Sequence, residues 1–352
     1  MIQLEHLQVY DLTLTVKTPI FVGSGTCYCK HEYMYDSWNQ KVYIVNQDAL
    51  FTLLLERDLI DRYENFILRK DKKNLHSFLK TECGCSEDDI HSLVQYSLSA
   101  KDALKAKESL KEIHAFQRNA DGRAYISGSS VKGALRTVYL LHCILEDKGR
   151  HGEFSEPKYL HTLSCKGQKK EDALNSIFRG IQISDSIPIG DDSMILAGKY
   201  DISTKGNENK VNVCRECVKP GHRIHMKLTL DQSILKDKIT KEILLESIGE
   251  FSEYYQKTYV PHFEAPSSAA TETMQNCLIL GGGAGFFSKT LTYPYYGEQE
   301  GLERVAAYYS AKRFENHHHE QDKILGISPH MMKYTKFGGK LYPFGLCEVD
   351  IE

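Results

Sequence analysis

The chain has 352 residues, 41% of them hydrophobic, with 44 basic and 47 acidic side chains and a formal net charge of −3. That is enough apolar material for one large or two medium domains. It excludes a protein that holds nucleic acid by overall charge, so any basic footprint must be local. The longest apolar runs, such as Val138 to Leu141, are far too short to span a bilayer.

Met1 to His6 lacks the charged-then-apolar layout of a signal peptide, and the 10 cysteines are scattered rather than framing a small domain. Both point to reduced thiols and a cytoplasmic location. Asp11 to Lys17 alternates polar and apolar residues, the pattern of a half-buried strand. It runs into Thr18-Pro19-Ile20-Phe21-Val22-Gly23-Ser24-Gly25, a turn punctuated by proline and glycine. Lys41 to Val45 is a second strand, leading through Asn46 or Asp48 as cap into a helix with Leu50, Leu53, Leu54 and Arg57. Residues 58–116 are charged and helical in pattern, with breaks near Asn74 and Cys83-Gly84-Cys85, and predict an inserted helical segment.

Tyr125-Ile126-Ser127-Gly128-Ser129-Ser130-Val131-Lys132-Gly133-Ala134-Leu135-Arg136 predicts a short strand, a small-residue loop and a helix through Leu141. Ser129 or Ser130 can cap that helix, whose first turn offers partial positive charge and open N–H donors to a phosphate. Lys132 and Arg136 lie four residues apart and share one face, while Ala134, Leu135, Val138, Leu141 and Leu145 form the buried one. The residues from Lys148 to Lys170 are polar and loop-like, and Gly180 to Ser186 is a strand and turn.

Arg223 to Asp231 alternates for nine residues and predicts a strand that opens a second unit. A helix follows, with Ile239, Ile243, Leu244, Ile248, Phe251 and Tyr255 on its apolar face. Then come the glycine run Gly281 to Gly285, a helix around Leu302 to Phe314, and a terminal strand Leu346 to Ile351. Strand–helix–strand in both halves predicts two related α+β units, 1–190 with the insertion and 191–352.

Gly283 to Thr290 is one residue short of a P-loop, with Ser288 where its second glycine belongs. A P-loop domain needs a downstream metal-binding acid and further βα units, and too little chain remains for them. The glycines instead let the backbone approach a ligand closely. Cys214, Cys217, His222 and His225 are chemically able to bind zinc, but the spacing between the pairs is short and His225 sits within the alternating strand. No metal and no cofactor are expected. His317-His318-His319, in a charged segment, reads as an exposed, mobile loop rather than a ligand set. Tyr293, Tyr295 and Tyr296 suit base stacking and packing equally. His31, His114 and His142 lie near the binding elements, without a spacing that pairs any of them with a second catalytic group. Three basic patches stand out: Arg69, Lys70, Lys72 and Lys73; Arg118, Arg123, Lys132 and Arg136; and Lys205, Lys210, Arg215, Lys219 and Arg223. Only the second is attached to a motif.

The segment Gly128 to Arg136 resembles the Gly-Ser-Ser-x-Lys-Gly-x-x-Arg signature of the RAMP superfamily, the RNA-binding subunits of CRISPR effector complexes. Thr18 to Gly25, Ile183-Ser184-Asp185-Ser186, the loop Gly281 to Gly285 and Lys336 to Gly345 resemble further elements of that family, in the same order. Length and the turn Cys214 to Gly221 look most like the fifth-subunit branch of type III-A Csm complexes. The resemblance implies two ferredoxin-like (RRM-like) domains and a place at the 3′ end of the CRISPR RNA, capping the filament of repeating backbone RAMP subunits beside the small helical subunit. It implies RNA contacts at Gly23, Ser24, Gly25, Ser129, Ser130, Lys132, Gly133, Arg136, Gly281, Gly282, Gly283, Gly285 and Lys289. The family's target-cutting subunit carries an aspartate after its first glycine turn, whereas here Thr26 to His31 holds no acid. The expected role is non-catalytic RNA binding that supports guide maturation; the family is linked to 3′ trimming of the guide, which a recruited cellular nuclease could equally perform. A metal-independent guide-processing endoribonuclease of the same fold and a purely protein-binding cap are the alternatives.

Overall fold

The computed structural model describes residues 5–69, 74–104, 112–165, 167, 169, 171–267, 269–270, 274–312 and 319–352. Lys70, Lys72 and Lys73 of the first basic patch lie outside them, as do His317, His318 and Phe314.

Two sheets carry the α+β fold. The smaller orders its strands Cys277–Ile279, Leu346–Ile351, Leu7–Val16, Arg223–Asp231 and Ile181–Ile183, all antiparallel. Alternation dictates its two faces: Leu12, Leu14 and Val16 point inward with Ile224, Met226, Leu228 and Leu230. The signature helix Gly128–Glu146 and the helix Lys241–Thr258 pack against each other and against strands of this sheet. The signature helix buries Val131, Leu135, Val138, Leu141 and Ile144 at the spacing of one helical face, while Ala134 and Leu145 are only partly covered. Each fully buried aliphatic side chain contributes about 1.5–3 kcal/mol, so Leu135→Ala is enough to loosen the docking.

The larger sheet has 9 strands. Its main path runs Gly23–Tyr28, Glu112–Phe116, Glu208–Val218, Met194–Ser203, Val94–Ser99, Lys41–Val45 and Tyr33–Asp36. The hairpin Met331–Phe337 and Lys340–Pro343 joins it through Met194–Ser203. Both sheets therefore take strands from either side of residue 190.

Helices Ile60–Leu68, Leu75–Thr81 and Glu87–Ser92 fill the first part of the expected insertion and bury a satellite core around Phe66, Phe78 and Leu79. Asn74 caps the second of these and Ser86 closes a capping box on the third, at the breaks the sequence marks. Helix does not continue to 116, however. Val94–Ser99 and Glu112–Phe116 are strands whose alternate side chains enter the core, a two-residue period masked by the charges around it.

One short segment stitches the sheets together. Ile20 N–H donates to Val218 O and Val218 N–H to Ile20 O, Gly282 N–H donates to Phe21 O at 2.7 Å, and Gly345 N–H donates to Pro19 O at 3.0 Å. The glycines make this possible: a Cβ on Gly281 would stand 2.1 Å from Phe21 O, and one on Gly345 2.5 Å from Leu280 O, both at positive φ. Three glycine-bearing elements far apart in sequence are thereby held side by side.

Candidate functional site

That crossing point borders a cavity of about 400 Å³ lined by Val22, Gly23, Ser129, Ser130, Gly133, Ala134, Thr137, Ile279, Gly281, Gly282, Ser288 and Lys289. The first turn of the signature helix forms one wall and the glycine loop the other. Gly133 is exposed and a Cβ there would meet nothing within 4 Å, so the wall is low and open. The lining combines the hydroxyls of Ser129, Ser130, Thr137 and Ser288, glycine backbone, the apolar side chains of Val22, Ala134 and Ile279, and the exposed ammonium of Lys289. Such a surface has little bulk and one free-standing cation, which suits a sugar–phosphate chain.

The segment Ile183 to Ser186 fixes the helix start. Asp185 Oδ1 accepts from Gly128 N–H at 2.9 Å, and Ile126 and Ser186 exchange two bonds: Ile126 N–H to Ser186 Oγ at 3.0 Å and Ser186 N–H to Ile126 O at 2.9 Å. Gly128 is obligatory, since a Cβ would stand 2.0 Å from Ile183 O. Ser127 is the N-cap residue; its hydroxyl and that of Ser130 share a 2.9 Å bond.

Residues 13–290 match the family model of the RAMP superfamily. The chain belongs to the RAMP superfamily. A protein named CRISPR system Cms protein Csm5 from Mycobacterium tuberculosis is 24% identical over 377 residues, covering 98% of each chain. Its namesake from Streptococcus thermophilus is 28% identical over 300 residues, covering 81% of this chain and 80% of the relative. A chain in the cryo-EM structure of a Csm–crRNA–target RNA ternary complex of a type III-A CRISPR-Cas system matches with a TM-score of 0.71 at 16% identity, covering 97% of this chain and 100% of that one. The crystal structure of T. onnurineus Csm5 matches with a TM-score of 0.62 at 14% identity, covering 96% and 99%.

Within this RAMP protein the expected contact residues separate into two groups. Gly23, Ser129, Ser130, Gly133, Gly281, Gly282 and Lys289 line the groove together. Lys132 and Arg136 do not. Lys132 Nζ donates to Ile181 O at 2.6 Å, and burial, with Arg136 nearby, pulls its pKa down. Arg136 pairs with Glu156. Four-residue spacing put the two cations on one helix face, but that face turns toward neighbouring chain. Ser24 and Gly25 sit exposed on the edge strand Gly23–Tyr28, and Gly283 and Gly285 on the part of the loop beyond the groove.

The four zinc candidates do not converge. Cys214 and Cys217 are buried in one strand of the larger sheet, where an odd spacing points them to opposite faces. His225 lies in the smaller sheet with its Nδ1 3.2 Å from Thr13 Oγ1. The tyrosine trio is packing: Tyr293 and Tyr295 are buried, and Tyr296 bonds Glu153 and stacks under Arg304. His142 Nδ1 lies 2.9 Å from a Glu250 carboxylate oxygen, away from the groove lining.

His319 corrects an expectation. It is buried, not an exposed loop residue, with Nδ1 2.8 Å from Asp322 Oδ2; His330 Nδ1 lies 2.5 Å from Oδ1, and Ser328 Oγ donates to Oδ2 at 2.6 Å. The acid that holds this histidine lies only three residues on, but its burial and its further partners Ser328 and His330 come from the fold, which no periodicity around His319 announces.

Proposed function

We propose that this RAMP protein is a non-catalytic RNA-binding subunit of a type III-A CRISPR effector complex. It holds the 3′ region of the CRISPR RNA and closes one end of the filament of repeating backbone subunits. The observation that carries this reading is the groove, where the first glycine turn, the signature helix start and the late glycine loop meet. The near full-length likeness to proteins named Csm5 supports the choice of complex.

In this reading the sugar–phosphate chain lies across Gly133 and the loop Gly281–Gly282. Ser129, Ser130, Thr137 and Ser288 supply hydroxyls and Lys289 the charge. Contacts of this kind fix the backbone and leave the bases free to pair. The repeating backbone subunit and the small helical subunit are the partners this role requires; a recruited nuclease is needed only where 3′ trimming is not intrinsic. The groove lining contains no histidine or carboxylate to serve as a general base, which favours binding over cleavage.

The test is RNA retention by the assembled complex. Gly133→Glu places a carboxylate in open space in the groove and should strip guide RNA, while Gly133→Ala should keep it. Equal occupancy in Gly133→Glu and wild type would sink the proposal. Metal-free cleavage of repeat RNA by the purified chain, lost on changing one histidine, would replace it with the endoribonuclease reading.

A further inference from the structure

The cysteine–histidine set suggested by sequence spacing does not converge, but strand pairing assembles another. At the edge of the larger sheet, Gly23–Tyr28 runs antiparallel to Glu112–Phe116, and Cys27 stands opposite His114. Side chains directly opposite on paired strands share a face. Glu112 precedes His114 by two residues, so it rises on that same face. Cys27 Sγ, a Glu112 carboxylate oxygen and a His114 ring nitrogen all lie within 4.8 Å of one another. The thiol and the carboxylate come from positions 85 residues apart, a separation at which no local spacing marks a ligand set.

The arrangement leaves room for an ion. Cys27 Sγ stands 3.9 Å from Glu112 Oε2. With zinc–sulfur and zinc–oxygen bonds of about 2.3 and about 2.1 Å, two ligands of a tetrahedral site stand about 3.6 Å apart. The observed gap is slightly wider, a difference that a turn of the exposed Glu112 side chain closes. Thiolate, imidazole and carboxylate are the ligand types of zinc, whereas calcium and magnesium take oxygen.

Charge and exposure agree with this. Burial raises the Cys27 thiol pKa, and Glu112, Cys29 and Glu32 push it further, so the group is surrounded by acids and a second thiol. Burial, then Arg215 and Lys199, pull His114 down and favour the neutral ring that ligates metals, against the opposing pull of Glu112. Both of those cations stand on strands that lie on the other side of Glu112–Phe116 from Cys27. Cys27 and His114 are half-buried and Glu112 is exposed, so an ion reaches the cluster directly from solvent. The Phe21 ring lies edge-on to His114, centroids 6.4 Å apart, and forms an apolar wall.

We propose that Cys27, Glu112 and His114 bind a zinc ion that staples the edge strand Gly23–Tyr28 to Glu112–Phe116. On binding, the Cys27 thiol gives its proton to solvent, and a fourth position remains for water. The staple falls where it is needed. The register between these strands shifts between Gly23 and Cys27, so the backbone ladder there is irregular. Gly23, at the other end of the strand, lines the groove. The site stands independently of the RNA-binding role proposed above.

The test uses the full chain, stripped with a chelator and reloaded with zinc chloride or, as a spectroscopic probe, cobalt chloride. Metal analysis after dialysis should find about one zinc per chain. Zinc should raise the melting temperature of the stripped protein by at least about 2 °C. Cobalt should give a thiolate-to-metal charge-transfer band. Cys27→Ser and His114→Ala should each lose the band and the thermal gain, and Cys165→Ser should keep both. Should those two variants fail to melt like stripped wild type, Glu112→Gln replaces an exposed side chain and should weaken zinc at least about tenfold. No metal uptake by wild type overturns the site. Uptake unchanged in Cys27→Ser, His114→Ala and Glu112→Gln puts the ion on other ligands and overturns it equally. Uptake lost in the variants but without thermal gain in wild type overturns the staple.

Discussion

Asp185 Oδ1 accepts a hydrogen bond from the backbone N–H of Gly128 at 2.9 Å, across 57 residues of sequence. It does what a side-chain cap would normally do, because the N-cap residue Ser127 makes no such bond to the helix. Asp185→Ala should cost about 1–2 kcal/mol, and Asp185→Asn, which keeps an acceptor, clearly less. Chemical denaturation of the three proteins checks the order. Equal midpoints for Ala and wild type would show that the bond adds nothing.

Two glycines of the same helix should behave in opposite ways. Gly128→Ala drives a Cβ to within 2.0 Å of the Ile183 carbonyl and should destabilise by about 1–3 kcal/mol or more. Gly133→Ala meets open space and should stabilise the helix by up to about 1 kcal/mol. Thermal melting of both variants distinguishes steric exclusion from helix propensity. If both lose stability alike, the contact at Ile183 is not what demands glycine.

Asp322 predicts acid sensitivity. Burial pushes its carboxyl up, but hydrogen bonds from His330, Ser328 and His319 outweigh that and hold it below its ordinary value. Its contribution is therefore fully present above the unfolded value of about 3.9 and is lost as pH falls through the lower folded value. Asp322→Asn should cost about 3 kcal/mol at neutral pH and should lose that part of the acid limb. Stability measured from pH 7 down to about pH 2 tests it. A wild-type limb retained by Asp322→Asn would show that another group sets it.

Lys132 and Arg136 give a prediction about binding. Both cations already hold partners within the protein, one of them the half-buried carboxylate of Glu156. Replacing the pair by alanine should reduce guide occupancy less than Gly133→Glu does. The Arg136–Glu156 pair, still in reach of solvent, contributes about 1 kcal/mol to stability. A larger loss in the double variant, with an unchanged melting curve, would return these cations to the RNA contact.

Sequence patterning was enough to locate the elements that carry the site. Alternation marked Arg223–Asp231, a terminal strand was expected at Leu346–Ile351, and the small-residue run marked the start of Gly128–Glu146. These are local signals, written in periods of two or 3.6 residues and in turn chemistry. The strand Glu112–Phe116 escaped because its short alternation lies beside a charged stretch. Side-chain partners were illegible for a different reason. Nothing near Arg136 in sequence points to Glu156, and nothing near His319 makes it buried.

The sequence by itself determined the apolar faces of the main strands and helices, the helix with its glycine-serine start and the glycine turns, since each follows from residues close together in the chain. Only the tertiary structure decided that Gly23, Gly133 and Gly281 border one groove and that Arg215 lies under Gly283. Those juxtapositions depend on pairing between strands hundreds of residues apart, such as Leu7–Val16 with Leu346–Ile351. Periodicity says which face of a strand is buried; it carries no information about which strand comes to lie beside it.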